Sequence, residues 1–242
     1  MSSAIFSRER PTVASVLGSS FNLYFSNFLP ITLIGVVGWL PFVMLILGAT
    51  LAVSNVLTAG LLMVVGGLGL IITIPAAYAA TLHAVFQAAL GKPVVVGESL
   101  TIGFARLGRT IGAAVLSWIL MALGFLMLFI PGIILSLMLS LAIPVAALES
   151  VTVGQSLRRS AELMKGLRLM LFGVWLIEGL LNMVCSLFNT VLQSAPILSM
   201  GWSMVTTVIL AELGIVVLGV MYFSARAYKE SIGTDAIAAV FE

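Results

Sequence analysis

A chain of 242 residues with 61% hydrophobic and 8% charged residues and a mean hydropathy of +1.23 is too apolar for an ordinary soluble globule. Its formal net charge of +2 comes from eleven Lys and Arg against nine Asp and Glu, and those cations are gathered in four short segments. Nucleic acid requires a continuous basic surface, so nucleic-acid binding is excluded as a reading.

The first segment holds Arg8 and Arg10 in a polar stretch with Ser2, Ser3, Glu9 and Pro11. It lacks the apolar core and small-residue cleavage site of a signal peptide, so the first apolar stretch is expected to be retained. The later segments are 92–109 (Lys92, Arg106, Arg109), 158–168 (Arg158, Arg159, Lys165, Arg168) and 226–229 (Arg226, Lys229). Two apolar stretches fit into each gap: Leu29 to Val53 and Leu57 to Ala80, then Ile111 to Ile130 and Gly132 to Leu148, then Leu169 to Val191 and Met200 to Met221. A membrane-spanning helix needs roughly 20 apolar residues, so six crossings are predicted.

The turns at the far end, Thr50 to Asn55, Pro131-Gly132 and Asn189 to Trp202, carry no charge. Short loops rich in Lys and Arg stay cytoplasmic, which places both termini inside a bacterial-type cytoplasmic membrane. The predicted fold is an all-α membrane protein of three hairpins in one polytopic domain, residues 1–242.

Each hairpin is preceded by an amphipathic stretch with apolar residues at offsets 0, 4, 8 and 11. These are Val13, Leu17, Phe21, Tyr24; Val96, Leu100, Phe104, Leu107; and Val153, Leu157, Ala161, Met164. The spacing draws one stripe along a helix that can lie in the membrane interface. Val96-Gly97-Glu98-Ser99-Leu100 also resembles Val153-Gly154-Gln155-Ser156-Leu157, which suggests internal repeats starting near 12, 95 and 152. The other reading is that any helix entering a membrane from the cytoplasm becomes amphipathic. Thr152 with Gln155 forms a capping-box pattern, and Thr12 is placed to cap the first copy. Gly91 and Pro93 should stop the second crossing after Leu90, a helix about 51 Å long from Leu57 that must kink at Pro75 or project from the membrane. Pro131-Gly132 should form a tight reversal, and Pro144 should bend the fourth crossing. Gly60, Gly66, Gly67 and Gly69 allow close helix approach but are not followed by the Gly-Lys-Ser/Thr of a nucleotide loop.

The stretch from Pro131 to Gly166 carries Pro131-Gly132-Ile133, Leu141-Ala142-x-Pro144-Val145-x-x-Leu148-Glu149 and Ser156-Leu157-x-Arg159-Ser160-x-x-Leu163-x-Lys165-Gly166. This composite pattern resembles the membrane-domain family named after glycerophosphoryl diester phosphodiesterases, and the six crossings with interfacial entry helices look like it too. The resemblance implies a bacterial membrane protein in which Pro131, Gly132, Pro144, Glu149, Leu157, Ser160 and Gly166 have structural roles. It implies no phosphodiesterase activity, because the catalytic domain is absent and one His with one Asp cannot build that metal site.

Glu178 and Glu212 lie inside the fifth and sixth crossings, where a charged group costs roughly 2.5–3.5 kcal/mol. By helical rise they sit about 15 Å beyond Arg168 and about 21 Å before Arg226. One reading is a proton- or cation-handling pair, joined by His83 of the second crossing. The other is interhelical glue, the carboxyls binding each other, Asn182 or a backbone carbonyl. His83 reads more simply as an interfacial hydrogen-bonding residue. Cys185, the single cysteine, reads as a small buried side chain in the fifth crossing.

Arg106, Arg109, Arg158, Arg159, Lys165 and Arg168 form the candidate lipid-headgroup surface, with plain positive-inside topology as its simpler explanation. Glu149 is placed to pair with Arg159. No metal constellation, cofactor motif or hydrolase elbow occurs. The functional expectation is a non-enzymatic membrane protein engaging anionic lipid, or a membrane-protein partner or second copy, at the cytoplasmic leaflet. A small cation-coupled transporter or channel using the glutamates is the alternative.

Overall fold

The computed structural model of the chain describes residues 9–230, so Arg8 lies outside the described residues. Ten α-helices and no strand occur among the described residues. Three short helices, α1 (Val13–Ser26), α4 (Val96–Ala105) and α8 (Val153–Met164), each precede a hairpin. The hairpins are α2 (Phe28–Leu51) with α3 (Val56–Ala89), α5 (Leu107–Met127) with the broken pair α6 (Phe129–Leu139) and α7 (Ala142–Leu148), and α9 (Arg168–Val191) with α10 (Pro196–Glu230). Six helices are long and apolar enough to cross a membrane, α6 and α7 counting together as Phe129–Leu148. All-apolar helices of this length are stable only with their backbone groups paired internally, which an α-helix achieves alone.

The core is concentrated at the end that carries the cations. There α7 and the later parts of α3 and α10 meet as a central trio, each touching the other two. Ala76 to Ala89, Leu137 to Leu148 and Leu213 to Ala227 supply most of the fully buried apolar side chains. Each short helix closes one edge of the trio. Helix α4 packs on α3, α8 on α7, and α1 on α10, so each leans on the even-numbered span that precedes it, the first closing the ring onto the last.

Part of the apolar stripe packs inward, Tyr24, Leu157 and Met164 being buried and Val13, Leu17, Phe21, Val96 and Leu100 half-buried against the core, and small residues beside it are buried as well. In all three, the residues at offsets 3 and 7 are buried: Val16 and Ser20, Ser99 and Gly103, Ser156 and Ser160. Phe104, on the apolar stripe, stays 44% exposed. Four of these six residues are serines and one is glycine, and small side chains let two helix backbones approach. Apolarity marks the side facing outward as readily as the seam when the surroundings are lipid.

Several boundaries move. The reversal in the second hairpin falls at Leu128, the one extended residue between α5 and α6, and not at Pro131-Gly132. Pro131 sits in the first turn of α6, where its missing N–H costs nothing. Gly132 sits where the hairpin pinches, an added Cβ there lying 2.4 Å from the Phe125 ring. The far turn of the third hairpin shrinks to Leu192–Ser194 and Ala195, because helix α10 starts at Pro196. Helix α3 runs unbroken through Pro75 for 34 residues, and its buried second half projects among the short helices. Gly91 stops it with φ +72°, as its sequence position implies, and Gly166 turns the chain between α8 and α9 with φ +83°. Both predicted caps form: Thr152 and Gln155 make a reciprocal capping box, and Thr12 makes one with Ser15.

Pro144 does more than bend the fourth span. The helix breaks at Ser140 and Leu141, and Ser160 of α8 fills the gap, accepting from Leu141 N–H at 3.1 Å and donating to Met138 O at 2.7 Å. Ser160→Ala should therefore cost about 1–3 kcal/mol by stranding a buried N–H. Ser156→Ala, which loses only a bond to its own helix carbonyl at Val153, should be near neutral. Thermal unfolding in detergent reads the difference, and equal midpoints for the two variants would refute the bridge.

Candidate functional site

The charged residues organise into a cluster at the basic end that the chain order does not announce. The Tyr222 hydroxyl donates to Glu149 Oε1 at 2.8 Å, and Arg226 Nη1 donates to the Tyr222 oxygen at 3.1 Å. Arg226 Nε bonds Glu230 Oε2 at 2.9 Å and lies 4.0 Å from Glu149 Oε1. Arg159 pairs with Glu149 at 3.6 Å, as its spacing suggested, and also with Glu230. The cluster ties the end of α7, the middle of α8 and the end of α10. Sequence reading named Glu149 and Arg159 as a pair and Arg226 only as part of a basic segment, and passed over Tyr222 and Glu230. Arg226 and Glu230 stand four residues apart on one helix, which is the signal that was available.

The six cations offered as a headgroup surface divide. Arg106 turns inward to the carbonyls of Ala147 and Leu148, and Arg109 to that of Glu149, so together they cap the C-terminal end of α7. Cations near a helix C-terminus satisfy its free carbonyls and complement its dipole. Burial, with Arg109 beside it, holds the Arg106 guanidinium below its ordinary range. Arg159 belongs to the ion cluster. These three are partly buried and already bonded to groups of the chain itself.

The remaining three stand differently. Arg158 points outward, its side chain 84% exposed and paired with Glu162 at 3.0 Å. Lys165 and Arg168 flank the Gly166 turn. Lys229 reaches the same turn and donates to the carbonyls of Glu162 and Lys165, and Arg10 Nη2 donates to Gly166 O at 2.9 Å. Lys165 and Arg168 are close enough to repel the Lys229 charge, and Glu162 attracts it. Arg168 Nε is buried without a hydrogen-bond partner. Lys229 and Arg10 thus reach the turn by way of backbone carbonyls, which neutralise none of their charge, and Lys165 and Arg168 flank it in the chain.

The two intramembrane glutamates are not a pair. Glu212 is 2% exposed, accepts from Thr81 Oγ1 at 2.6 Å and fills the space above Gly35 of α2. Glu178 lies on the other side of α10, with Oε1 buried, unpartnered and directed toward Gly214. Residues 212 and 214 point to opposite faces of a helix, which separates the two carboxyls whatever their depth. Asn182 donates to the Glu178 backbone carbonyl and not to its carboxylate. The expected carboxyl–carboxyl contact is therefore replaced by a sealed Thr81–Glu212 bond in one place and an open-ended Glu178 in another.

His83 is buried, 3.2 Å from Ser99 Oγ by its Nδ1, and joins α3 to α4. This is the hydrogen-bonding role and not a partnership with the glutamates. Cys185, expected to be buried, is partly exposed on the wall of a cleft between α9 and α10. Of the four glycines noted in α3, Gly66 and Gly69 press against Pro41 of α2, while Gly60 and Gly67 face open space. Leu157 packs with Leu139 and Ala142 against α6 and α7. The chain matches no family model, no curated protein and no solved structure.

Proposed function

We propose that this is a non-enzymatic, multi-pass protein of a bacterial-type cytoplasmic membrane, with both termini inside, that engages anionic lipid headgroups at the inner leaflet. The observation that carries the reading is the gathering of Arg10, Lys165, Arg168 and Lys229 at the Gly166 turn, with one guanidinium nitrogen of Arg168 left unpartnered. A phosphate at that turn would supply the missing acceptor and offset charge that the protein leaves in excess. Each Lys or Arg near an anionic surface contributes about 1 kcal/mol. Exposed Phe25, Val95 and Phe104 on or beside the short helices add apolar contact at the same level. The role is a scaffold, accessory or lipid-handling one, and it suits the membrane-domain family that the chain resembles, taken without a fused enzyme.

Native mass spectrometry of the full chain released from mixed vesicles tests it. Phosphatidylglycerol should be retained in preference to phosphatidylcholine. The triple variant Lys165→Gln, Arg168→Gln, Lys229→Gln should weaken that retention by about two orders of magnitude, the sum of three such contributions. Equal retention of both lipids would overturn the reading. Co-release of a stoichiometric protein without lipid preference would replace it with a protein-binding role.

A further inference from the structure

The far half of α10 borders two clefts of opposite chemistry. One, between α9 and α10, is about 200 Å³ and polar, with Asn182, Cys185, Ser186 and Asn189 on the α9 wall. The other, between α2 and α10, is also about 200 Å³ and apolar, with Trp39 and Phe42 facing Met204 and Val208. Ser203 and Thr207, one turn apart on α10, line both, so the two clefts adjoin across that ridge. The polar cleft has a fixed back, because Trp202 Nε1 donates to the Cys185 carbonyl at 3.1 Å and its ring packs on Phe188 at 4.7 Å. Trp39 and Phe42 meet edge to face at 6.0 Å and stiffen the apolar wall.

Neither lining holds a charged side chain. An anionic head would find no cation here and a cationic one no carboxylate, so charge complementarity selects a neutral ligand. Asn182, Ser186 and Thr207 are exposed within spanning helices, and the hydroxyls of Ser186, Ser203 and Thr207 have no hydrogen-bond partner among the described residues. Polar groups in hydrocarbon are costly until they are paired. The hydroxyls can donate, while Asn182, whose Nδ2 is taken by the Glu178 carbonyl, offers its oxygen as an acceptor. The complement of this lining is a neutral group that carries both an O–H and carbonyl oxygens. Depth sets the rest of the ligand. By helical rise the polar cleft begins about 3 Å inside the far end of α9, at Asn189, whereas the apolar groove reaches Met204 and Val208, about 12 and 18 Å inside the start of α10. A lipid standing in the far leaflet has its head and its chain in that order.

We infer that the two clefts form one site for an uncharged, hydroxyl-bearing lipid of the diacylglycerol class in the leaflet opposite the basic end. The free hydroxyl donates to the Asn182 oxygen, the ester carbonyls accept from Ser203 and Thr207, and one acyl chain lies between Trp39 and Phe42 on one side and Met204 and Val208 on the other. A mostly apolar cleft with a few placed polar groups is the usual form of a small-molecule site. The site shares no residue with the Gly166 turn and does not depend on the reading given to that turn.

The full chain is reconstituted in phosphatidylcholine vesicles that contain either dioleoylglycerol or phosphatidylglycerol, each with a photoactivatable diazirine in the middle of one acyl chain. After illumination and digestion, the labelled peptides are identified by mass. Dioleoylglycerol should label the stretches around Trp39 to Phe42 and Met204 to Val208 about tenfold more than phosphatidylglycerol does. Ser203→Ala with Thr207→Val removes both shared hydroxyls at nearly constant size and should reduce that labelling about tenfold, the effect of two hydrogen bonds. In the unaltered chain, plain dioleoylglycerol should also slow modification of Cys185, on the wall of the polar cleft, by N-ethylmaleimide. Equal labelling by the two lipids, labelling that survives the double substitution, or a Cys185 rate indifferent to dioleoylglycerol would overturn the inference. A dimer that the double substitution dissociates would overturn it as well, since the polar cleft would then belong to a second copy.

Discussion

Arg226→Met should destabilise the protein by about 3–5 kcal/mol, the largest effect expected of any single charge removal in the chain. Arg226 is 5% exposed and sits between Glu149, Glu230 and the Tyr222 hydroxyl. Taking the guanidinium away leaves two carboxylates facing each other at a closed end of the bundle with only Arg159 between them. The penalty is that of stranded charge and exceeds the net worth of the ion pairs. Adding Glu149→Gln to Arg226→Met should restore part of the loss, because the second change removes one of the stranded groups. Arg158→Gln is the comparison: its side chain is 84% exposed, and its pair with Glu162 should contribute well under about 1 kcal/mol. Thermal or denaturant unfolding in detergent measures all four proteins. An Arg226→Met midpoint no lower than that of Arg158→Gln would show that the cluster does not hold α7, α8 and α10 together.

Gly103→Ala should cost about 2–3 kcal/mol, at the upper end for a single added methyl group. A Cβ at Gly103 would lie 2.2 Å from Ala76 O and 3.0 Å from both Ala80 Cβ and Ala80 N. Two of those three atoms belong to the α3 backbone, which cannot rotate aside as a side chain does, so α4 has to lift from α3. That lift would also stretch the His83–Ser99 hydrogen bond, which spans the same seam. Gly97→Ala on the same helix meets nothing within 4 Å and should be neutral or stabilising by about 0.5–1 kcal/mol through helix propensity. The opposite signs expected for one substitution at two positions of α4 make the comparison decisive. Two variants of equal stability would mean that α4 is not seated on α3 as described.

The lesson of Gly103 extends to how the chain can be read. Apolar stretches of twenty or more residues and the clustering of cations announce six spanning helices, because bilayer thickness imposes a length and backbone pairing imposes a helix. Caps at Thr12 and Thr152 and the stop at Gly91 are equally local, each depending on groups within one turn of chain. Which side of a short helix faces its neighbours is not local. In lipid surroundings Phe104 loses little by pointing outward, while Val96 and Leu100 of the same stripe pack on the core and Ser99 with Gly103 forms the seam beside them.

The same limit governs the charged residues. Their number, order and end of the molecule follow from the sequence, as does the local pairing of Arg158 with Glu162. That Arg106, Arg109 and Arg159 turn inward, and that Glu178 and Glu212 fall on opposite sides of α10, depended on how six helices rotate about their axes and meet. A rotation of 100° per residue separates neighbours in the chain and joins residues 73 apart, as it does Glu149 and Tyr222. Membrane residence and helix count were determined by the sequence alone, through the free-energy cost of polar groups in hydrocarbon. The ion cluster, the cation-rich turn and the polar cleft were decided by tertiary packing, because each is assembled from side chains that only the closed bundle brings within hydrogen-bonding distance.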